Sequence, residues 1–166
     1  VVIGIRGNGI HCNGLSLARK VFFDQNSFGI DHRFADLDGT LGEELLRPTP
    51  IYVREAMEIL DTVVGVKALI NITSDGTLNL ARVSADVGYM IDNFPAPDPI
   101  FGLIKSLARV PDEEMFEIFN MGVGFCVVVD QAAVEKVLAV LKRHNRTAQV
   151  IGHAVADKEK KVSIPQ

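Results

Sequence analysis

The chain has 166 residues and a mass of 18.1 kDa, is 48% hydrophobic and 23% charged, and carries a formal net charge of −4. That is one ordinary domain with enough apolar content for a core, which excludes a disordered or collagen-like chain. A pI near 5.5 gives no general attraction for nucleic acid or an anionic membrane, and no apolar run approaches the ~20 residues needed to cross a bilayer.

Val1 to Ile5 reads as a buried strand, so the sequence is expected to be one half of a larger protein. Arg6 to Gly14, RGNGIHCNG, is a loop with three glycines, and Leu15 to Asp24 follows as a helix with Leu15, Ala18, Val21 and Phe22 on one face. Gln25 to Pro50 is irregular, with one helical turn near Glu43–Leu46. Ile51 to Leu60 is the next helix, with Thr49 as a candidate cap after Pro48. Val66 to Ile72 is a strand that runs into Thr73-Ser74-Asp75-Gly76 and a short helix to about Val83. Val87 to Asp92 is a strand, and Ile100 to Ala108 is a helix. A further helix opens at Pro111-Asp112-Glu113-Glu114, where the acids complement the helix dipole. Gly122 to Val129 is an apolar strand, Ala132 to His144 an amphipathic helix, and Gln149 to Ala156 and Lys161 to Ile164 are closing strands. With no internal repeat and no linker, residues 1–166 form a single α+β domain: a mixed sheet of about six strands covered by helices.

Two cysteines, Cys12 and Cys126, make no disulfide framework, and no Cys/His spacing reads as a zinc site. With no secretory signal in view, a reducing cytoplasmic setting is expected. Cys126 lies in an apolar strand and reads as an inert core thiol; His32, His144 and His153 show no partner pattern.

Three segments are candidates for chemistry. Gly7 to Gly14 feeds a helix N-terminus, where free N–H groups and a partial positive charge suit an anion; His11 and Asn13 add side-chain donors beside Gly9 and Gly14. The spacing matches neither a Walker A loop nor a dinucleotide fingerprint. The plain alternative is a tight turn in which His11 and Asn13 satisfy local backbone. Thr73, Ser74, Asp75 and Gly76 end a buried strand ahead of a helix, either as a ligand loop or as a simple cap. Asn120, Gly122 and Gly124 lead into the late strand, where glycine permits close approach of a backbone or ligand.

Together these segments resemble a known family. Gly9-Ile10-His11-Cys12-Asn13-Gly14-Leu15-Ser16-Leu17-Ala18-Arg19, Thr40-Leu41-Gly42-Glu43-Glu44-Leu45-Leu46-Arg47-Pro48-Thr49-Pro50-Ile51-Tyr52-Val53, and Glu113-Glu114-Met115-Phe116 with Phe119-Asn120-Met121-Gly122-Val123-Gly124 are similar to segments of the aminoimidazole ribonucleotide synthetase (phosphoribosylformylglycinamidine cyclo-ligase) family. The resemblance covers the C-terminal half of that enzyme. It implies the C-terminal-domain fold, with a mixed, largely antiparallel sheet. It also implies a two-domain homodimer, cytoplasmic and without nucleic-acid or membrane partners, whose active site lies between this half and an N-terminal ATP-binding domain. The implied reaction is a step of purine biosynthesis. ATP, with Mg²⁺, activates the formamide oxygen of formylglycinamidine ribonucleotide, the amidine attacks, the imidazole ring closes, and ADP and phosphate leave. This half alone is expected to be inactive. The resemblance places His11 as the catalytic residue, with Gly9, Asn13, Gly14, Thr73, Ser74, Asp75, Gly76, Asn120, Gly122 and Gly124 around phosphorylated substrate and ATP; it assigns no metal ligand. The chain departs from the family pattern at Cys12, at Asn71 and at Ser74-Asp75, where an acidic side chain repels a phosphate unless it faces away or binds a metal. Those departures leave a second expectation open, a non-catalytic binding or regulatory module or a divergent paralogue.

Overall fold

The computed structural model describes residues 1–164. Six strands, β1 (Val2–Arg6), β2 (Val66–Asn71), β3 (Val87–Met90), β4 (Val123–Val129), β5 (Ala148–Ala156) and β6 (Val162–Ser163), form one sheet in the order β2-β4-β1-β5-β3-β6. All neighbours are antiparallel except β3 and β6, which run parallel. This is the expected α+β class with a mixed, largely antiparallel sheet.

The apolar runs explain which strands are central. β4 reads VGFCVVV and is buried on both faces, so it has no solvent side to offer. Its Val127 and Val129 join Ile3 and Ile5 on one face, under α3 (Val53–Thr62) and α6 (Val134–Arg143). Its Cys126 and Val128 join Val2, Ile70 and Ile151 on the other, with Leu80, Tyr89 and Ile91. A third cluster packs α1 (Leu15–Arg19) and its π-helical continuation Lys20–Gln25 against α4 (Pro99–Ala108) and α5 (Asp112–Ile118), through Ala18, Phe22, Ile104, Met115 and Phe119.

Local chemistry sets the helix ends. α2 (Leu41–Leu45) opens with a capping box: Glu43 N–H donates to Thr40 Oγ1 at 3.2 Å, and Thr40 N–H to Glu43 Oε2 at 2.7 Å. α5 opens after Pro111 with three acids in its first turn. α3 starts at Val53, with Tyr52 and not Thr49 in the N-cap position. The reason is tertiary: the Ile51 carbonyl accepts from Arg146 at 2.6 Å and the Tyr52 ring is drawn into the core, so residues 49–51 stay outside the helix. His144 does have a partner, Glu58 on α3, which accepts from both His144 and Arg143.

Candidate functional site

β1 and β2 both run antiparallel to β4, so the ends of β1 and β2 and the start of β4 share one edge of the sheet. That topology brings the three glycine-bearing segments together. The register slips between Ile5 and Arg6 opposite β4, and this irregularity aims Arg6 into the junction.

Asn120 ties two segments to each other. Fully buried, it donates from Nδ2 to the Gly9 carbonyl at 3.0 Å and accepts the Gly122 N–H at 2.7 Å. Gly7 N–H donates to the Gly122 carbonyl at 2.8 Å, which closes the same seam with backbone. Asn13 reaches the third segment, donating from Nδ2 to the Ile72 carbonyl at 3.3 Å. Gly76 lies under the carbonyls of Phe116 and Phe119, 2.1 and 2.6 Å from where a Cβ would stand, so no side chain fits there. Residues 73–79 are knotted by Asn79, which accepts from Thr73 Oγ1 at 3.0 Å and donates to the carbonyls of Ser74 and Gly76. Asp75 adopts a left-handed backbone without capping through its side chain, and its carboxylate pairs with Arg82. Ser74 is exposed. The acid in this loop is thus turned to a cation of its own 3₁₀ turn, Gly76–Arg82.

His11 is 6% exposed, and its imidazole lies between two glycine backbones. Its Cε1 and Nε2 are 3.0 Å from the point where Gly7 would carry a Cβ, and Cε1 is 2.7 Å from the same point at Gly124. Both positions need glycine because an imidazole fills the space. Nε2 accepts the Asn8 N–H at 3.2 Å, which leaves the ring proton of the neutral form on Nδ1. Burial depresses the His11 pKa below its ordinary value, and the Asp98 carboxylate partly opposes this.

Asp98 occupies the N-cap position of α4, a place where aspartate usually binds the helix amides. Here it does not cap. One oxygen takes Arg6 Nη2 at 2.7 Å and the other the Gly9 N–H at 3.1 Å. Glu44 stands on the other side of Gly9, buried and paired with Arg47 at 3.0 Å; burial raises its pKa and Arg47 opposes the rise.

The amides of Gly7, Asn8, Gly9 and Asn13 therefore all have acceptors inside the protein. His11 serves local backbone at Asn8, while Asn13 reaches outside the loop to the Ile72 carbonyl. Within the described residues the amides of Ile10, His11, Cys12 and Gly14 find no acceptor, nor do the first amides of α1, whose first intrahelical bond runs from Ala18 N–H to the Gly14 carbonyl. Cys12 and Ser16 are exposed beside them. An open depression of about 450 Å³, lined by Asn71, Thr73, Asn79 and Arg82 among others, adjoins the second loop. Among the described residues, no three His, Cys, Asp or Glu side chains are grouped to hold a metal ion. Asp98 and Glu44 are already committed to Arg6 and Arg47, so the residues present do not fit a resident Mg²⁺.

Arg6, Tyr52 and Asp98 belong to this junction although their local sequence did not mark them, and Asn8, inside the marked loop, was given no role. Tyr52 stood within the Thr49-Pro50-Ile51-Tyr52 segment without a role.

The profile of the family described as AIR synthase related protein, C-terminal domain, matches residues 1–165. The chain belongs to this family. It is 49% identical over 156 residues to a phosphoribosylformylglycinamidine cyclo-ligase of Methanocaldococcus jannaschii, covering 93% of this chain and 44% of that protein. It is 44% identical over 160 residues to one of Methanobrevibacter smithii, covering 96% and 46%. This AIR-synthase-related domain thus spans a little under half the length of the curated relatives it matches. Its fold also resembles thiamine-monophosphate kinase from Stenotrophomonas maltophilia K279a, with a TM-score of 0.58 at 18% identity over 98% of this chain and 49% of that one. A hydrogenase maturation protein matches with a TM-score of 0.54 at 15% identity, over 93% and 44%. At such identities these two show the shared fold.

Proposed function

We propose that this domain is the substrate-side, C-terminal half of an ATP-dependent cyclo-ligase that converts formylglycinamidine ribonucleotide to aminoimidazole ribonucleotide. The observation that carries the reading is the convergence of the segments that resemble the cyclo-ligase family, where Asn120 donates to the Gly9 carbonyl and Asn8 to the Pro48 carbonyl, in a chain 49% identical to a protein of that name. ATP phosphorylates the formamide oxygen, the amidine nitrogen closes the ring, and phosphate departs with that oxygen. Such a reaction asks the protein mainly for placement and charge stabilisation.

In this reading the first amides of α1 hold a phosphate without any change of protonation. Asn120, Asn13 and Asp98 keep the glycine loop in the shape that presents them. His11 acts from within the loop, where its Nδ1 proton is the one free to reach substrate. Carboxylates for Mg²⁺ come from the companion ATP-binding half. The Asp75–Arg82 pair offsets the charge of the acid in the second loop, which supports the catalytic reading over a non-catalytic module. α3 offers the companion a surface: Val53, Met57 and Leu60 are exposed along one face, with exposed Ile51 just before the helix and Val64 just after it.

The test is ADP release with formylglycinamidine ribonucleotide in the protein that joins this chain to its ATP-binding half. His11→Ala and Asn13→Ala should each reduce turnover by tenfold or more, and the 166-residue chain alone should show none. Full rates in both variants sink the reading of the glycine loop.

A further inference from the structure

Tyr52 is 6% exposed, and its hydroxyl has no hydrogen-bond partner. A buried phenol in that condition calls for an explanation. Its ring is held on two sides. Phe125 lies at 5.2 Å between centroids, and the Arg146 guanidinium sits 5.2 Å over the ring. Arg146 is itself fixed, by Glu55 and by the Ile51 carbonyl. The ring therefore cannot swing to find a partner. Its oxygen is directed at β4, 2.1 Å from where Gly124 would carry a Cβ, and the Cε1 of His11 is 2.7 Å from that same point. The phenol oxygen and the carbon edge of the imidazole thus share one small space, kept open by a glycine.

We propose that Tyr52 is a positioning residue for His11, its phenol oxygen facing the Cε1–H edge of the imidazole and supporting the ring when it carries a second proton. The physical basis is the polarity of that edge. The carbon between two ring nitrogens bears the most positive hydrogen of imidazole, and it grows more positive on protonation. An oxygen lone pair facing it favours the imidazolium over the neutral ring. The inference takes from the functional reading only that the glycine loop belongs to the site, and the coupling itself is independent of the substrate.

The second proton goes to Nε2, so the Asn8 N–H that this nitrogen accepts in the neutral ring gives way in wild type and variant alike, and the charged groups around His11 are the following. From the segment before α4, Asp98 faces it, with Arg6 of β1 on that carboxylate. From α2, Glu44 and Arg47 lie across Gly9 as a pair. Arg146 and Glu55 lie behind the Tyr52 ring as another. β4 contributes Gly124, and next to it the neutral thiol of Cys126. Tyr52 is the group whose removal changes the Cε1 edge and leaves these pairs in place.

The experiment is a pH titration of the His11 Cε1–H resonance in the chain and in Tyr52→Phe. That variant keeps the ring and loses only an oxygen that has no partner. The expected result is a downward shift of the His11 midpoint by about half a pH unit. An unchanged midpoint overturns the proposal. So does a rise, which would mean that the phenol had been donating to the neutral ring. A second measurement needs no variant: the wild-type chain should show a nuclear Overhauser contact between His11 Cε1–H and the Tyr52 ring hydrogens, and its absence overturns the proposal as well. Turnover of the joined protein separates this from the functional reading. A shifted midpoint with no cyclo-ligase activity in wild type leaves the coupling standing and removes the reaction.

Discussion

Phe119 lies against Gly14, its Cε1 2.1 Å from where a Cβ on that glycine would stand, and Gly14 has a left-handed φ of 64°. Gly14→Ala thus meets strain twice, in the backbone and against a fully buried ring. We expect a loss of about 2–4 kcal/mol in urea unfolding, with Phe119→Leu in the same chain restoring part of it. Equal stability of Gly14→Ala and wild type would show that this seam is loose.

Gly124 gives a cleaner steric test, because its backbone does not require glycine. Gly124→Ala should cost about 1–3 kcal/mol through contact with the Tyr52 hydroxyl and the His11 ring. Adding Tyr52→Phe removes the nearest atom. The double variant should be more stable than the sum of the singles predicts, by about 1 kcal/mol. Strict additivity would place Tyr52 and Gly124 out of contact.

The buried imidazole fixes a pH dependence whose sign follows from its depressed pKa. The unfolded chain takes up the His11 proton at the ordinary value of 6.5, while the folded chain holds the ring neutral until a lower pH. Below 6.5 the unfolded state binds more protons, so stability falls as pH drops through that value toward the folded pKa. Above it the contribution is complete. His11→Gln should flatten the stability profile between pH 7.5 and 5, measured by chemical unfolding at each pH. An unaltered profile would place the dependence elsewhere. Asp98→Asn, by removing the charge that opposes the depression, should move the His11 midpoint lower still.

The two cysteines should separate by reactivity. Cys12 is exposed beside Thr49, whereas burial pushes the Cys126 thiol up to about 12. Iodoacetamide under native conditions should add one carbamidomethyl group, at Cys12, and a second only in denaturant. Mass spectrometry after digestion reads both. Native labelling of Cys126 would mean that β4 opens readily.

Much of the fold was legible because its signals are local. Val66–Asn71 and Val123–Val129 are apolar runs of strand length, and Val134–Arg143 alternates at helical spacing. The glycine segments were also visible, as was the bond of His11 to its own loop, but the reach of Asn13 to Ile72 was not. What lay hidden is long-range pairing. Arg6 meets Asp98 across 92 residues, and His144 meets Glu58 across 86. Such pairs leave no periodic trace. Tyr52 was hidden for a related reason: nothing local says that a helix will begin with a ring sunk into the core, and Thr49 had the better capping chemistry. Asp98 was hidden in the same way, its side chain taken by Arg6 and by the Gly9 amide, both far away in sequence.

The sheet order has a consequence for how the molecule comes into being. β1 is flanked by β4 and β5, more than 100 positions downstream. Its backbone groups stay unmatched until residues 123–156 have been synthesised. Contact order is correspondingly high, and assembly should be slow beside that of a helical bundle of equal size. The glycine loop hangs from the end of that waiting strand, so the junction it forms is among the last parts of the molecule to acquire its shape.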